Sequence, residues 1–217
     1  MHAGRALFSG IDHVALGGTA AAFAALGFAP EDDVVWLENT RLELAPEGEG
    51  ILSIVLVGDA DPHLPFVSSV RSPAPRRRFA HPNGVYKLER VYIAVNDVAT
   101  SVEQYARALG VPAPRTERGT VIHAEMAPFV FGEGVEAAAL TLAQPVAPGV
   151  AADALGRRGE GPFQALFRTK SMDAAAQWLA RHGVPPPARG IRNTGEQAML
   201  VPPEHACGAY VGFVGPA

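Results

Sequence analysis

The sequence predicts an α+β fold of repeated βαβββ units whose curved, mixed sheets enclose a cleft. Three observations lead there. Residues 88–111 form a template of strand, cap, amphipathic helix and glycine stop. The template recurs twice, at 163–184 and 11–28; a grammar that returns with its cap and its stop is a repeat. Several strand-like runs then follow each helix, which suits a sheet covered on one side by helices.

In the template, residues 88–95 are rich in β-branched and aromatic side chains and favour a strand. Asn96 and Asp97 offer a turn and an acceptor for the first free N–H groups of a helix. Val98, Val102, Tyr105 and Leu109 fall at helical spacing as one apolar stripe. Gly110 sits where a helix ends left-handed, and Val111 can pack back on the last turn. Downstream, 163–170 reads as a strand, Ser171 as a cap and 172–182 as a helix closed by Gly183. Near the start, 11–16 is a strand, Thr19 a cap, and a short Ala-rich helix ends at Gly27-Phe28.

The remaining elements follow in order. The first strand extends over 8–16, and 34–37 with 40–45 reads as a hairpin turning at Glu38-Asn39. The run 51–57 is almost wholly apolar and reads as a buried strand. Regularity fails over 59–82, where five prolines and Arg76-Arg77-Arg78 predict a loop or a decayed unit. His81-Pro82-Asn83-Gly84 marks a turn into the template. Pro112 and Pro114 forbid helix after it. Residues 120–131 and 136–142 alternate like strands, 144–161 is a connector with a short helix at 150–155, and the last strands are 197–201 and 209–214, the first of them preceded by a Pro-rich turn at 185–187. This divides the chain into an N-terminal pair of units over 1–84, its second unit shortened, and a C-terminal pair over 85–217.

Composition narrows the function classes. The chain has 217 residues, 48% of them hydrophobic and 18% charged, which is ordinary for a globular protein. A net charge of −4 gives no reason to expect nucleic acid or an anionic membrane; Arg76-Arg77-Arg78 is too small a run for a nucleic-acid patch. One cysteine, Cys207, rules out an intrachain disulfide framework and fits a reducing compartment. No apolar run reaches the ~18 residues of a membrane span, and the first residues lack a secretory apolar region. The expectation is a cytoplasmic protein with a small-molecule ligand, and a homodimer is left open.

The stretches Ile-Asp-His-Val-Ala-Leu at 11–16, 88–111, and Arg-Arg-Gly-Glu-Gly-Pro-Phe-Gln-Ala-Leu-Phe at 157–167 resemble the vicinal oxygen chelate superfamily, the glyoxalase/bleomycin-resistance fold. From Leu140 onward the chain is similar to the methylmalonyl-CoA epimerase-like branch: a strand ending Gln-Pro, a linker ending Arg-Gly-Glu-Gly, a strand, Asp-Ala-Ala in a helix, and a final strand after a Pro-containing turn. The resemblance implies a divalent metal held by a His on the first strand and a Glu on the last strand of each unit, with positions open for substrate oxygens. Carried over residue by residue, His13 and Glu43 match in the first unit. Ser53 takes the first-strand position of the second, Arg90 with Thr141 the positions of the third, and Gln164 with Gly212 those of the fourth. Arginine has no lone pair to give a cation, so the C-terminal pair is expected to be metal-free.

Strand alternation puts Arg90 with Tyr92, Gln164 with Leu166 and Arg168, Tyr210 with Gly212, and His123 with Glu125. If these faces line the cleft, the candidate ligand-binding residues are Arg90, Tyr92, His123, Glu125, Thr141, Gln164 and Tyr210. Such groups suit a carboxylate, a phosphate or an enolate. For His13 and Glu43 the alternative is a hydrogen-bonded histidine and a solvated glutamate; His63, His81 or a partner chain would have to complete a metal site. Asp12 points to the opposite face of its strand by alternation and does not orient His13. The Glu204-His205-Ala206-Cys207 cluster follows two prolines and reads as a turn. No catalytic residue is assigned. The expected function is binding of a small anionic or oxygen-rich metabolite at a degenerate metal site, without a cofactor. The alternative is a lyase, isomerase or dioxygenase of the same superfamily, metal-free or with a divalent metal at His13 and Glu43.

Overall fold

The first strands of the expected units pair with one another in antiparallel couples, and the rest of each sheet grows outward from them. In the computed structural model, which describes residues 7–75, 77, 79–185 and 187–216, β1 (Phe8–Gly17) lies against β4 (Ile51–Gly58). Likewise β6 (Val85–Ala94) lies against β10 (Gly161–Thr169). Around β6 and β10 an eight-stranded half-barrel is arranged with pseudo-twofold order. The sequence is β11 (Ala188–Ile191), β12 (Gln197–Val201), β13 (Tyr210–Gly215), β10, β6, β9 (Ala138–Pro145), β8 (Ala124–Phe131) and β7 (Glu117–Gly119). Each last strand, β9 or β13, runs parallel to its first strand, as a βαβββ unit requires. The smaller sheet has the order β2 (Val34–Trp36), β3 (Arg41–Ala45), β1, β4, β5 (Val67–Val70).

The helices α1 (Ala20–Ala25), α2 (Val98–Leu109) and α4 (Met172–Arg181) start where their caps dictate. Thr19, Asp97 and Ser171 each accept a hydrogen bond from the backbone N–H three residues on. Gly110 ends α2 at φ 65°, a conformation without steric cost only for glycine. The stripe Val98, Val102, Tyr105 and Leu109 is buried. A further helix, α3 (Val150–Arg158), runs three residues past its expected end.

Several expectations are corrected. Residues 120–123 form a tight turn, so the strand expected over 120–131 begins only at Ala124, and the run 117–119 before the turn is strand β7. The segment expected to be irregular over 59–82 contains β5, parallel to β4. Arg76 and Arg78 of the basic run, Pro186 of the Pro-rich turn and the N-terminal residues 1–6 lie outside the described residues. Among the described residues no helix is long and apolar enough to cross a membrane.

One hydrophobic cluster runs through both sheets. At its centre Phe28, just after α1, lies 5.0 Å from Phe167 on β10 and 6.3 Å from Phe213 on β13, centroid to centroid. Polar stitches follow the same seam. The buried Asn39 side chain, expected only as a turn residue, donates to the Leu88 carbonyl (2.8 Å) and accepts from the Leu88 N–H (3.0 Å), as a strand neighbour would.

His81 makes a second stitch: its Nδ1 accepts from the Ala29 N–H (3.1 Å), which leaves Nε2 to donate to the Trp36 carbonyl (2.9 Å). Both nitrogens are committed, so His81 is no ligand for a metal at His13. Burial, only partly opposed by the Trp36 carbonyl, holds its imidazole below the ordinary 6.5. The unfolded chain therefore takes the proton first. The stability due to neutral His81 is complete above pH 6.5 and declines as pH falls through that value toward the lower folded one. Urea midpoints of the wild type should fall over this window more steeply than those of His81→Gln, which cannot titrate there. Parallel curves would contradict it.

Candidate functional site

One face of the half-barrel belongs to α2 and α4: Val91, Phe129, Leu140, Ala165 and Val211 join the core that holds Tyr105, Leu109 and Leu179. The other face carries Tyr92, Met126, Leu166 and Tyr210, with Ala151 and Ala154 of α3 packed on it. On this inner face, strand register lines up Thr141, Tyr92, Gln164 and Tyr210 as one row across four strands. All four are buried. The next row contains Ala139, Arg90, Leu166 and Gly212. A Cβ on Gly212 would stand 2.9 Å from the Gln164 amide nitrogen, so the bare glycine makes room for that side chain. Two oxygens in the row, Thr141 Oγ1 and Gln164 Oε1, are buried with no hydrogen-bond partner among the described residues.

Each first strand carries one extra residue immediately before the position the resemblance assigns to a metal ligand. The unmatched residues are Asp12 before His13, Leu52 before Ser53, Glu89 before Arg90 and Phe163 before Gln164. A bulge turns two successive side chains toward one face. Asp12 therefore does not point away from His13, as alternation predicts; its Oδ2 lies 2.8 Å from His13 Nδ1.

Glu89, placed by the same device, anchors an ion-pair network at the mouth of the inner face. Its carboxylate holds Arg168 (2.6 Å) and Arg192 (2.7 Å), and Glu196 holds the same two arginines (2.6 and 3.2 Å). The hydrogen bond from Arg168 keeps the Glu196 carboxyl below its ordinary range, and Glu196 and Glu89 push the Arg168 guanidinium above its own. Beside this network Arg90 pairs with Glu117 of β7 at 2.8 Å.

Arg90, Tyr92, Glu117, Ile122, Met126 and Arg192 are among the residues lining a cavity of about 70 Å³. Burial raises the Tyr92 phenol despite the positive charge of Arg90, so it stays a protonated donor. The cavity is closed where the two edges of the half-barrel meet. Thr120 Oγ1 donates to Asn193 Oδ1 at 3.0 Å, and the Asn193 amide donates to the Arg118 carbonyl.

The candidate residues separate. Arg90 and Tyr92 line the cavity, and Thr141 and Gln164 flank Tyr92 in the buried row. Tyr210 is in the row, but its hydroxyl donates to Asp153 of α3 and it lines a different groove with Arg157. Burial and Asp153 push its phenol up to about 12. His123 sits in the turn at φ 52°, exposed, 2.8 Å from the Pro148 carbonyl, and does not line the cavity. Glu125 has the parity of Ala127 and Phe129, on the helix-covered face opposite Met126. The shared face expected for His123 and Glu125 fails because the strand starts only after His123. Sequence reasoning missed Glu89, Glu117 and Arg192. The one signal was a charged Glu-Arg pair interrupting the otherwise apolar run 88–95.

In the smaller sheet, His13 Nε2 is 3.4 Å from Glu43 Oε2, so the expected pair does meet. Arg41, however, enters the same set. It bonds Asp12 at 2.7 Å and Glu43 at 2.8 Å, and its Nη2 lies 3.2 Å from His13 Nδ1. Burial alone would raise the Asp12 carboxyl, but hydrogen bonds from His13, the Ala74 N–H and Arg41 bring it below its ordinary range. A guanidinium bonded to Asp12 and Glu43 repels a divalent ion, and the set fits an internal ion-pair network instead. In the larger sheet Arg90 fills a ligand position and Gly212 offers no side chain, so the residues there do not fit a divalent metal either. No group of three or more His, Cys, Asp or Glu side chains able to hold a metal is formed among the described residues.

No family model matches the chain, and no curated protein matches it. Solved structures do. A methylmalonyl-CoA epimerase from Mycobacterium tuberculosis is 27% identical, with 62% of this chain and 90% of that chain covered at a TM-score of 0.52. A Streptomyces coelicolor methylmalonyl-CoA epimerase in complex with 2-nitronate-propionyl-CoA is 24% identical, with 61% and 99% covered at 0.53. A methylmalonyl-CoA epimerase in complex with methylmalonyl-CoA and NH4+ is also 24% identical, with 61% and 96% covered at 0.53. These structural neighbours are members of the vicinal oxygen chelate superfamily, and this chain has their glyoxalase-like fold.

Proposed function

We propose that the protein binds a small anionic or oxygen-rich metabolite in the inner-face cavity of the half-barrel, at a degenerate metal site where an arginine does the work of a cation. The observation that carries this reading is Arg90. It holds a position where the superfamily resemblance implies a metal ligand, and its guanidinium lines the cavity beside the phenol of Tyr92. A fixed guanidinium binds carboxylate or phosphate oxygens through charge-assisted hydrogen bonds. Fold likeness supports small-molecule binding in such a cleft but not a particular chemistry.

Thermal-shift and calorimetric titrations of chelator-treated protein with acetate, propionate, malonate and phosphate test this reading. At least one anion should bind the wild type. Arg90→Gln should weaken it ~10- to 100-fold, the loss of about 1.5–3 kcal/mol expected for a hydrogen bond to a charged group. Binding as tight in Arg90→Gln as in the wild type, or binding that requires added metal, would contradict the reading.

A second reading, an isomerase, is favoured by the epimerase neighbours and by Glu117, a carboxylate on the cavity wall that could serve as a general base. It predicts deuterium exchange at a carbon next to the bound carboxyl, visible by NMR in heavy water and abolished by Glu117→Gln.

A further inference from the structure

We propose that Glu117 is a resident stand-in for the ligand's carboxylate, and that the cavity takes short aliphatic monocarboxylates of about three or four carbons by exchange with it. The proposal rests on the reading of Arg90 as the anion-binding group.

The two partners of the Arg90–Glu117 pair are unequally held. The Arg90 side chain is 18% exposed and is fixed at the centre of the half-barrel; that of Glu117 is 46% exposed, on a three-residue edge strand paired only with β8. Arg90 cannot leave, and a partly buried guanidinium needs an anion. Glu117 can turn to solvent at little cost, because half-exposed pairs contribute little.

A carboxylate entering as Glu117 leaves keeps the local charge unchanged. That balance matters, because the cavity is also bordered by Arg192, whose charge is already matched by Glu89 and Glu196. A dianion such as phosphate or malonate would bring surplus negative charge toward those two glutamates. A neutral molecule would give Arg90 nothing in place of the carboxylate.

Size and lining define the remainder of the ligand. By the measure of a ~150 Å³ apolar cavity that holds the six carbons of benzene, a cavity of about 70 Å³ holds about three heavy atoms. The ligand's carboxylate takes the space that the Glu117 carboxylate vacates, which leaves the cavity for two or three carbons. Val121, Ile122 and Met126 supply an apolar wall for those carbons, and the protonated Tyr92 phenol is placed to donate to the second carboxylate oxygen.

Calorimetric titration of the full chain with propionate, hexanoate and phosphate, on wild type, Glu117→Gln and Arg90→Gln, tests the proposal. Removing the resident competitor should tighten propionate about tenfold in Glu117→Gln, while Arg90→Gln weakens it ~10- to 100-fold and hexanoate fails to bind. Unchanged or weaker propionate binding in Glu117→Gln overturns the exchange. Phosphate or hexanoate binding as well as propionate, still dependent on Arg90, overturns the ligand class and leaves the Arg90 reading intact. Absence of binding by every anion overturns both.

Discussion

Phe28→Ala is expected to destabilise the protein by about 3–5 kcal/mol and to do so in one transition shared by both sheets. Phe28 is 2% exposed and lies between α1 and the smaller sheet's β2, yet its ring meets Phe167 and Phe213 of the larger sheet, as well as Phe23 and His81. Truncation leaves a cavity at the seam, where neither sheet can collapse to fill it without moving the other. Trp36 lies on β2 and Trp178 on α4, where its indole N–H also donates to the Ala24 carbonyl of α1. Single-tryptophan variants in urea should therefore show coincident unfolding curves, both shifted by Phe28→Ala. A Trp178 curve that stays in place while the Trp36 curve moves would mean that the larger sheet stands alone.

Glu89→Ala should cost about 2–4 kcal/mol, far more than an exposed ion pair. The Glu89 side chain is 14% exposed and serves Arg168 and Arg192 together, and Arg192 is as buried as Glu89 itself. Its removal leaves Glu196 as the one acidic partner of two guanidinium groups among the described residues. Glu89→Gln keeps the volume and an acceptor oxygen, so its cost should be smaller. Denaturant titration of both variants checks the order; equal, small losses would mean that the network is screened by solvent and holds nothing in place.

The architecture was legible because its signals are local. A cap reads the N–H three residues ahead and a glycine stop reads one backbone angle, so Asp97, Ser171 and Gly110 announce their helices without help from the rest of the chain. The candidate site was only half legible. Arg90, Thr141 and Gln164 come from positions that the superfamily resemblance implies, and Tyr92 from its strand parity with Arg90, which holds between bulges. Parity fails at Asp12 and Glu89, each the residue that one strand has and its partner lacks, and a bulge is a property of two strands. The edge strands β7 and β11 are short and mostly exposed, so no apolar alternation marks them. Their meeting through Thr120 and Asn193, 73 residues apart, closes the cavity and carries Glu117 and Arg192 to it. His123 and Glu125 were misplaced for a related reason, a left-handed turn residue where a strand was expected.

The most direct measurement is a pair of crystal structures, grown with and without propionate. With propionate, its carboxylate should lie on Arg90 with the carbons against Ile122 and Met126, and Glu117 should be turned to solvent; without it, Glu117 should remain on Arg90. Propionate elsewhere, or a metal ion held by His13 and Glu43 with the half-barrel cavity empty in both crystals, would contradict an arginine-based anion site.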